Sequence, residues 1–404
     1  MTSAFTGGGG SSVEHRDQWL ETAASLLPLL RQGANAGEAA RQVHPASVDA
    51  LRSNGLFQMC APIRVGGAEQ NARTLVEVVS CLSRGDASAG WVAMIANCTA
   101  WTMGLLPDEA RMAVYGGGGD VIAISQFGAG GTATPSGDQF VVDGRWPFAS
   151  GSDLASWTIG GVKLALERDG TPELRWALMP VSAMTVVDDW NVAGMAASGS
   201  KTLVASDLAV PVSWTIPFEQ FKGHAFAQWH CDETVFRTSV SAVACLALVA
   251  PLWGMVEEAW DITYVEAQSG RPIRQWNYDD ARDAPGWRSG LAIARSKIDT
   301  GMFHLLRAAD DIDDRARRGE VLTIAERSRI RNDQAVATVC FRTALDLLMD
   351  LNGARSFKLD NPLQRIWRDF GVASRHGLNN VPLNRDVYAH SLAGLDMEQF
   401  YDRL

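Results

Sequence analysis

The strongest constraint on this chain is that its hydrophobic period changes twice. From about Gln18 to Glu109 apolar residues recur at helical spacing, as in Trp19, Leu20, Ala23, Leu26, Leu27 and Leu30 and again in Val48, Leu51, Leu56 and Phe57. Between about Asp120 and Pro211 the runs become short and β-rich (VIAIS, QFVVDG, WTIGGVKLALE, LRWALMP, KTLVASDLAVP), separated by turn signals at Ser136-Gly137-Asp138, Asp143-Gly144 and Arg168-Asp169-Gly170. Beyond about Phe226 the helical period returns and holds to the end. Most mixed folds alternate their elements or switch only once, so this order points to a mainly α protein with a central β domain, an α+β arrangement. The boundaries fall at a flexible tail over 1–17, an N-terminal helical domain over 18–119, a middle antiparallel β domain over 120–215 and a C-terminal helical bundle over 216–404.

The 404 residues are enough for a sizeable core, and a net charge of -10 with no Lys/Arg block argues against a nucleic-acid partner. The six cysteines, Cys60, Cys81, Cys98, Cys231, Cys245 and Cys340, show no CxxC and no histidine at metal-ligand spacing; they read as reduced thiols of a cytoplasmic protein without a metal site. The N-terminus lacks the pattern of a secretory signal. The segment from Thr238 to Val256 carries no charge and is about long enough to span a bilayer, but Pro251 interrupts it and no basic cluster flanks it. A buried central helix is the expectation there, and no membrane partner.

The stretch Gln139 to Trp157 (QFVVDGRWPFASGSDLASW) begins as a strand and breaks into a run of small polar residues, a loop able to lay amides and hydroxyls against a flat ligand. Trp146 and Phe148 alternate along it, either as an aromatic wall for that ligand or as filling between sheet and helices. Asp86 or Ser88 is placed to cap the apolar, small-residue helix that carries Trp91, Met94, Asn97 and Trp101. The Gly-rich loop WNVAGMAASGSK matches neither GxGxxG nor GxxxxGK, so it is no phosphate loop of a known kind.

Four segments resemble one known family. LRSNGLFQMCAPIRVGG (51–67), DASAGW (86–91), WPFASGSDLASW (146–157) and NPLQRIWRDFGVASRH (361–376) are similar to stretches of the acyl-CoA dehydrogenase fold superfamily, and more to its oxygenating branch, the oxygenase components of two-component (group D) flavin-dependent monooxygenases. The resemblance implies an N-terminal helical domain, a middle β domain and a C-terminal four-helix bundle. It implies reduced FMN or reduced FAD from a separate reductase, O2 as co-substrate, a flavin C4a-hydroperoxide, and hydroxylation of an aromatic small molecule such as a phenol, polyketide or indole. It also implies a homo-oligomer, a tetramer formed as a dimer of dimers packed through the C-terminal helices.

The resemblance carries roles to particular residues. His376 falls at the position of a catalytic base; on a helix continuing past Asp369 the two would share a face. Ser150 is a donor near the flavin ring or the substrate oxygen, and Gly151 stands beside it. Ser125 and Gln126 occupy the place facing the flavin pyrimidine edge, while Ser198 and Ser200 meet flavin phosphate or N5 unless their loop is a plain hairpin turn. Arg271 matches an arginine that reaches a flavin, often in a neighbouring subunit, or else is a solvated surface residue. Trp91, Met94, Asn97 and Trp101 line the substrate side or belong to the core. Asn97 and Cys98 stand where some aromatic hydroxylases carry a histidine, so the phenol contacts do not transfer.

The run HGLNNVPLNRDVYAHSLAG holds no glutamate to take a proton α to a thioester, which argues for oxygenation over acyl-CoA dehydrogenation. The alternatives are a dehydrogenase-like flavin oxidoreductase with a relocated base, and a flavin-free helical interaction protein that keeps only the fold.

Overall fold

Helical period becomes helix wherever an apolar stripe has something to cover. A computed structural model describes residues 12–116, 121–168, 171–219, 234–237 and 239–397. Five helices come first: α1 (Ser12–Ala40), α2 (Pro45–Ser53), α3 (Ala72–Gly85), α4 (Ala87–Met103) and α5 (Asp108–Tyr115). Residues 1–11 of the expected tail lie outside the described residues; 12–17 form the first turns of α1. Asp86 caps α4, its carboxylate accepting from the Ser88 and Ala89 amides at 2.9 and 3.3 Å. Small residues let α4 approach its neighbours: a Cβ on Gly90 would stand 2.0 Å from Ser83 Oγ. Nearly all of α4 is therefore buried, Trp91, Met94, Asn97 and Trp101 included.

The middle of the chain forms one seven-stranded sheet in the order β5-β6-β2-β1-β3-β4-β7. Its strands are β1 (Ala123–Ser136), β2 (Gln139–Ala149), β3 (Trp157–Arg168), β4 (Thr171–Pro180), β5 (Thr185–Val187), β6 (Lys201–Pro211) and β7 (Thr215–Pro217). The sheet is mixed, not purely antiparallel as expected. β1 and β2 form a hairpin through Gly137 and Asp138, but β3 then pairs parallel to β1 on its other side. A parallel neighbour cannot be reached by a tight turn, so the chain must cross the end of β1 to start β3. Residues 150–156 make that crossing, tied down where the Ser156 amide donates to the Ile122 carbonyl at 2.8 Å.

The Asp143-Gly144 pair also departs from expectation. It lies inside β2 at a bulge between Val142 and Gly144, and the strand continues to Ala149. The reason is the Trp146 side chain, which lies across the sheet: a Cβ on Gly131, Gly144 or Gly160 would stand 2.5 to 2.8 Å from its indole. Arg168 closes the described part of β3; residues 169–170 of the expected Arg168-Asp169-Gly170 turn lie outside it.

Among the described residues the remaining α-helices are α6 (Val240–Ala247), α7 (Ala250–Gln268), α8 (Pro285–Arg318), α9 (Ile324–Asn352), α10 (Pro362–Ala373) and α11 (Val381–Leu392). Thr323 and Glu326 cap α9 reciprocally. The apolar run 240–268, the one stretch among the described helices long and apolar enough to cross a membrane, is 83% buried in its most apolar window, packed between α3, α4, α8 and α9. Five cysteines, Cys60, Cys81, Cys98, Cys245 and Cys340, are free thiols; Cys231 lies outside the described residues, among which no metal-binding cluster occurs.

Candidate active site

Trp91, on the first turns of buried α4, joins two parts of the chain far apart in sequence. Its indole Nε1–H donates to Ser150 Oγ at 3.1 Å, and its ring faces the His376 imidazole at 5.9 Å between centroids, tilted by 58°. The sheet register explains Ser150. β2 and β6 are antiparallel with Ala149 opposite Lys201, so Ser150 and Ser200 leave the ends of neighbouring strands side by side. Their hydroxyls are 2.7 Å apart, and Ser200 Oγ is a further 2.7 Å from Ser198 Oγ. Ser198 Oγ donates to the Met195 carbonyl at 2.7 Å. The two loops are stapled by the backbone as well, since the Gly151 amide donates to the Ser198 carbonyl at 2.8 Å and Ser152 Oγ to the Gly199 carbonyl at 3.0 Å. All four serines are buried.

The PLQRIWRD run holds this arrangement from the far side. A Cβ on Gly194 would stand 2.2 Å from the Arg368 carbonyl, so α10 and the 191–200 loop are in backbone contact. Asp369 accepts from the Met195 amide at 2.5 Å, and Met195 holds a left-handed backbone at φ 56°. Burial, and after it the neighbouring Asp86 carboxylate, pushes the Asp369 carboxyl up to about 7 despite the Met195 amide. Arg368 pairs with Glu38 and donates to the Ala193 carbonyl at 2.6 Å.

His376 does not continue a helix. α10 ends at Ala373 with Ser374 as its cap, and His376 opens a short 3-10 turn over Gly377–Asn379, with Nδ1 accepting from the Leu378 amide at 3.3 Å. The shared helical face with Asp369 is thereby lost, and the turn aims the imidazole at Trp91 instead. Because Nδ1 accepts, the neutral ring carries its proton on Nε2. Burial alone lowers the pKa from 6.5 to about 4. In the flavin-free protein His376 is therefore expected to stay neutral from pH 7 down to about 5, where exposed histidines titrate; imidazole resonances followed by NMR across that range check this. The sign for stability follows: the unfolded chain binds the extra proton below 6.5 and the native one only near 4, so stability falls as pH drops through that window.

Ser125 and Gln126 begin β1 and are buried where it packs on α4. The hydroxyls of Ser125 and Thr99 are hydrogen bonded at 3.0 Å, and Gln126 Oε1 accepts from Thr158 at 2.8 Å. Gln126 Nε2, by contrast, is a buried donor with no hydrogen-bond partner among the described residues.

Other expected contacts lie elsewhere. Trp146 is 1% exposed, donates to the Gly161 carbonyl at 3.0 Å and packs with Phe140, Val142 and Met179 inside the sheet's own core. Phe148 is 69% exposed, because its left-handed backbone (φ 61°) and the bulge after Trp146 turn it outward against Trp190. The two do not form a common wall. Asn97 spends both amide protons on the Leu56 and Ala93 carbonyls at 2.8 and 2.9 Å, and its oxygen accepts from the Cys60 amide. It clips α4 to residues 56–60. Met94 and Trp101 are fully buried in the main core, Met94 beside Cys98. Arg271 reaches the Asn352 carbonyl at the end of α9, not the serines. A groove of about 370 Å³ lined by Asp346, Met349, Phe357 and Trp367 holds none of the candidate residues. Sequence reading missed Met195 and the anchoring part of Asp369; the only local signal was Gly194, whose need for space depends on a helix nearly two hundred residues away.

The same architecture recurs in known proteins. Residues 246–381 match the model of the acyl-CoA dehydrogenase C-terminal domain. XiaF from Streptomyces sp., solved in complex with FADH2 and glycerol, is 31% identical and superposes with a TM-score of 0.92 over 96% of this chain and 98% of its own. The flavin-dependent monooxygenase oxygenase subunit HsaA of Rhodococcus jostii is 28% identical over 92% of this chain and 97% of its own. The oxygenase component of the FADH2-dependent resorcinol hydroxylase of a Rhizobium sp. is 27% identical over 94% of each chain. This likeness runs through all three zones of the chain, and the protein belongs to the oxygenase components of two-component flavin-dependent monooxygenases, built on the acyl-CoA dehydrogenase fold.

Proposed function

We propose that this protein hydroxylates an aromatic small molecule, using O2 and reduced FMN or FAD delivered by a separate reductase. The observation that carries the reading is Trp91, whose indole holds Ser150 on one side and faces His376 on the other. Bound reduced flavin would supply the chemistry that activates O2 and passes one of its oxygen atoms to the aromatic ring.

The residues present fit such a cofactor. Gln126 Nε2 is a buried, unpartnered donor, the group that a pyrimidine carbonyl needs, and an orphaned donor of this kind is costly unless a ligand satisfies it. Ser150 and Gly151 would hold the flavin from the crossing loop, and buried α4 and the sheet keep water from that side. His376 acts at Nε2, the one ring nitrogen not tied to backbone. In its resting tautomer Nε2–H donates a hydrogen bond to the substrate oxygen. Serving as the base that removes a phenolic proton requires that ring proton to leave first, so neutrality alone does not make His376 a base. The thioester reading finds less support: Asp369, a buried carboxylate raised to about 7, is engaged with the Met195 amide beneath the loop.

Arg271 is assigned to the flavin of a neighbouring copy, since in its own chain it meets the Asn352 carbonyl. Val265 on α7, Phe303 on α8 and Leu392 on α11, which are 69%, 66% and 70% exposed, support a homotetramer packed through the C-terminal helices. The function is tested with chemically reduced flavin, 18O2 and a panel of phenols and indoles, without nicotinamide. One 18O atom in the product is expected; quantitative hydrogen peroxide with every substrate would count against hydroxylation.

A further inference from the structure

The serine contacts form a chain with a fixed direction. It runs through three hydroxyl contacts, Ser198 to the Met195 carbonyl, Ser200 to Ser198 and Ser150 to Ser200, each at 2.7 Å. Three hydroxyl protons are available for these three contacts, and a carbonyl donates none. Ser198 must therefore donate to Met195, Ser200 to Ser198, and Ser150 to Ser200. The far end is closed in the same sense, because the Trp91 indole can only donate to Ser150. The Met195 carbonyl also accepts from the Ser198 amide at 3.0 Å and from Trp190 Nε1 at 3.1 Å, and the Met195 amide is held by Asp369. An acceptor fixed at one end and donors fixed at the other leave no freedom to reverse the chain.

Ser150 then has one lone pair left and no proton to give. The two redox states of a flavin differ at the atom concerned: N5 carries a hydrogen in the reduced form and is an acceptor only in the oxidised form. A serine placed at N5 that can only accept hydrogen bonds would match N5–H and oppose bare N5.

We infer that Ser198 and Ser200 are positioning residues whose hydrogen-bond chain, anchored on Met195, makes Ser150 an acceptor and so selects reduced over oxidised flavin. This rests on the flavin reading proposed above and reverses the donor role that sequence resemblance assigned to Ser150. Ser200→Ala removes the acceptor of the Ser150 proton and frees it to turn toward a ligand, whereas Ser200→Thr keeps a hydroxyl in place.

The test is anaerobic titration of each protein with photoreduced FMN and, separately, with oxidised FMN, giving the ratio of the two Kd values. Wild type is expected to favour the reduced form. Ser200→Ala is expected to shrink that preference about fivefold to tenfold, the worth of the one hydrogen bond that oxidised flavin gains from the freed Ser150 proton, and Ser200→Thr to restore it. A merely structural role would weaken both forms alike, and a ratio within twofold of wild type in a folded Ser200→Ala protein overturns the inference. Where Ser200→Ala does not fold, Ser198→Ala asks the same question one link further along, and an unchanged ratio there overturns it equally. Wild type that binds neither redox form of FMN or of FAD instead overturns the flavin reading, and wild type that binds both forms equally overturns the inference alone.

Discussion

Ser150→Ala is expected to oxidise reduced flavin without hydroxylating the substrate, lowering product per flavin consumed by about 100-fold, the scale on which a preorganised polar contact at a reacting centre acts. The mechanism is local. Ser150 Oγ is the point where the Trp91 indole and the Ser200 hydroxyl meet, so its loss removes the polar contact with the flavin and also leaves the Trp91 indole without its partner, while Ser200 keeps its bond to Ser198. One buried donor left unsatisfied costs about 1–3 kcal/mol, so some loss of thermal stability accompanies the defect. The fold itself should persist, because Gly151 and Ser152 still staple the loop through the Ser198 and Gly199 carbonyls. Product and hydrogen peroxide measured together against flavin added make the check. Full coupling in a folded Ser150→Ala protein would remove Ser150 from the chemistry.

His376→Ala carries the second large effect. The ring faces Trp91, and its Nδ1 bond is to the Leu378 amide within its own turn. Its removal should therefore leave reduced-flavin binding within about threefold of wild type while product formation falls about 100-fold, the scale on which a preorganised hydrogen-bond donor at a reacting centre acts. His376→Gln, which keeps an N–H at a similar reach, is expected to recover part of the loss through hydrogen bonding alone. Flavin titration and single-turnover product yield, run on the same preparations, separate the two effects. Equal yield in His376→Ala would take the residue out of the mechanism.

Much of the architecture was legible because it depends on period. The double switch between helical and strand patterning located the sheet between two helical zones, and the cap before the apolar run was readable as Asp86 or Ser88, of which the structure uses Asp86. The four family-like segments also marked the regions that meet in space. What the sequence did not reveal depends on pairing between distant elements. The parallel β1–β3 pair follows from which side of β1 the chain crosses to, and nothing within either strand encodes that choice. Trp146 looked like a ligand wall, because the glycines that make room for it, Gly131 and Gly160, lie on other strands. Phe148 lost its partner through one residue of left-handed backbone. Asn97 resembled a substrate contact until its three backbone partners were placed around it. The anchoring of Met195 by Asp369 joins positions 174 residues apart, beyond any local reading.

The most direct test of the central claim is a single turnover. Protein is loaded anaerobically with one equivalent of photoreduced FMN or FAD and the substrate identified in the 18O2 panel, then mixed with oxygenated buffer, beside a control loaded with oxidised flavin and NADH. Hydroxylated product approaching one per reduced flavin in the first mixture and none in the control is the expected result. Product from oxidised flavin with NADH, or hydrogen peroxide in place of product in the first mixture, would contradict it.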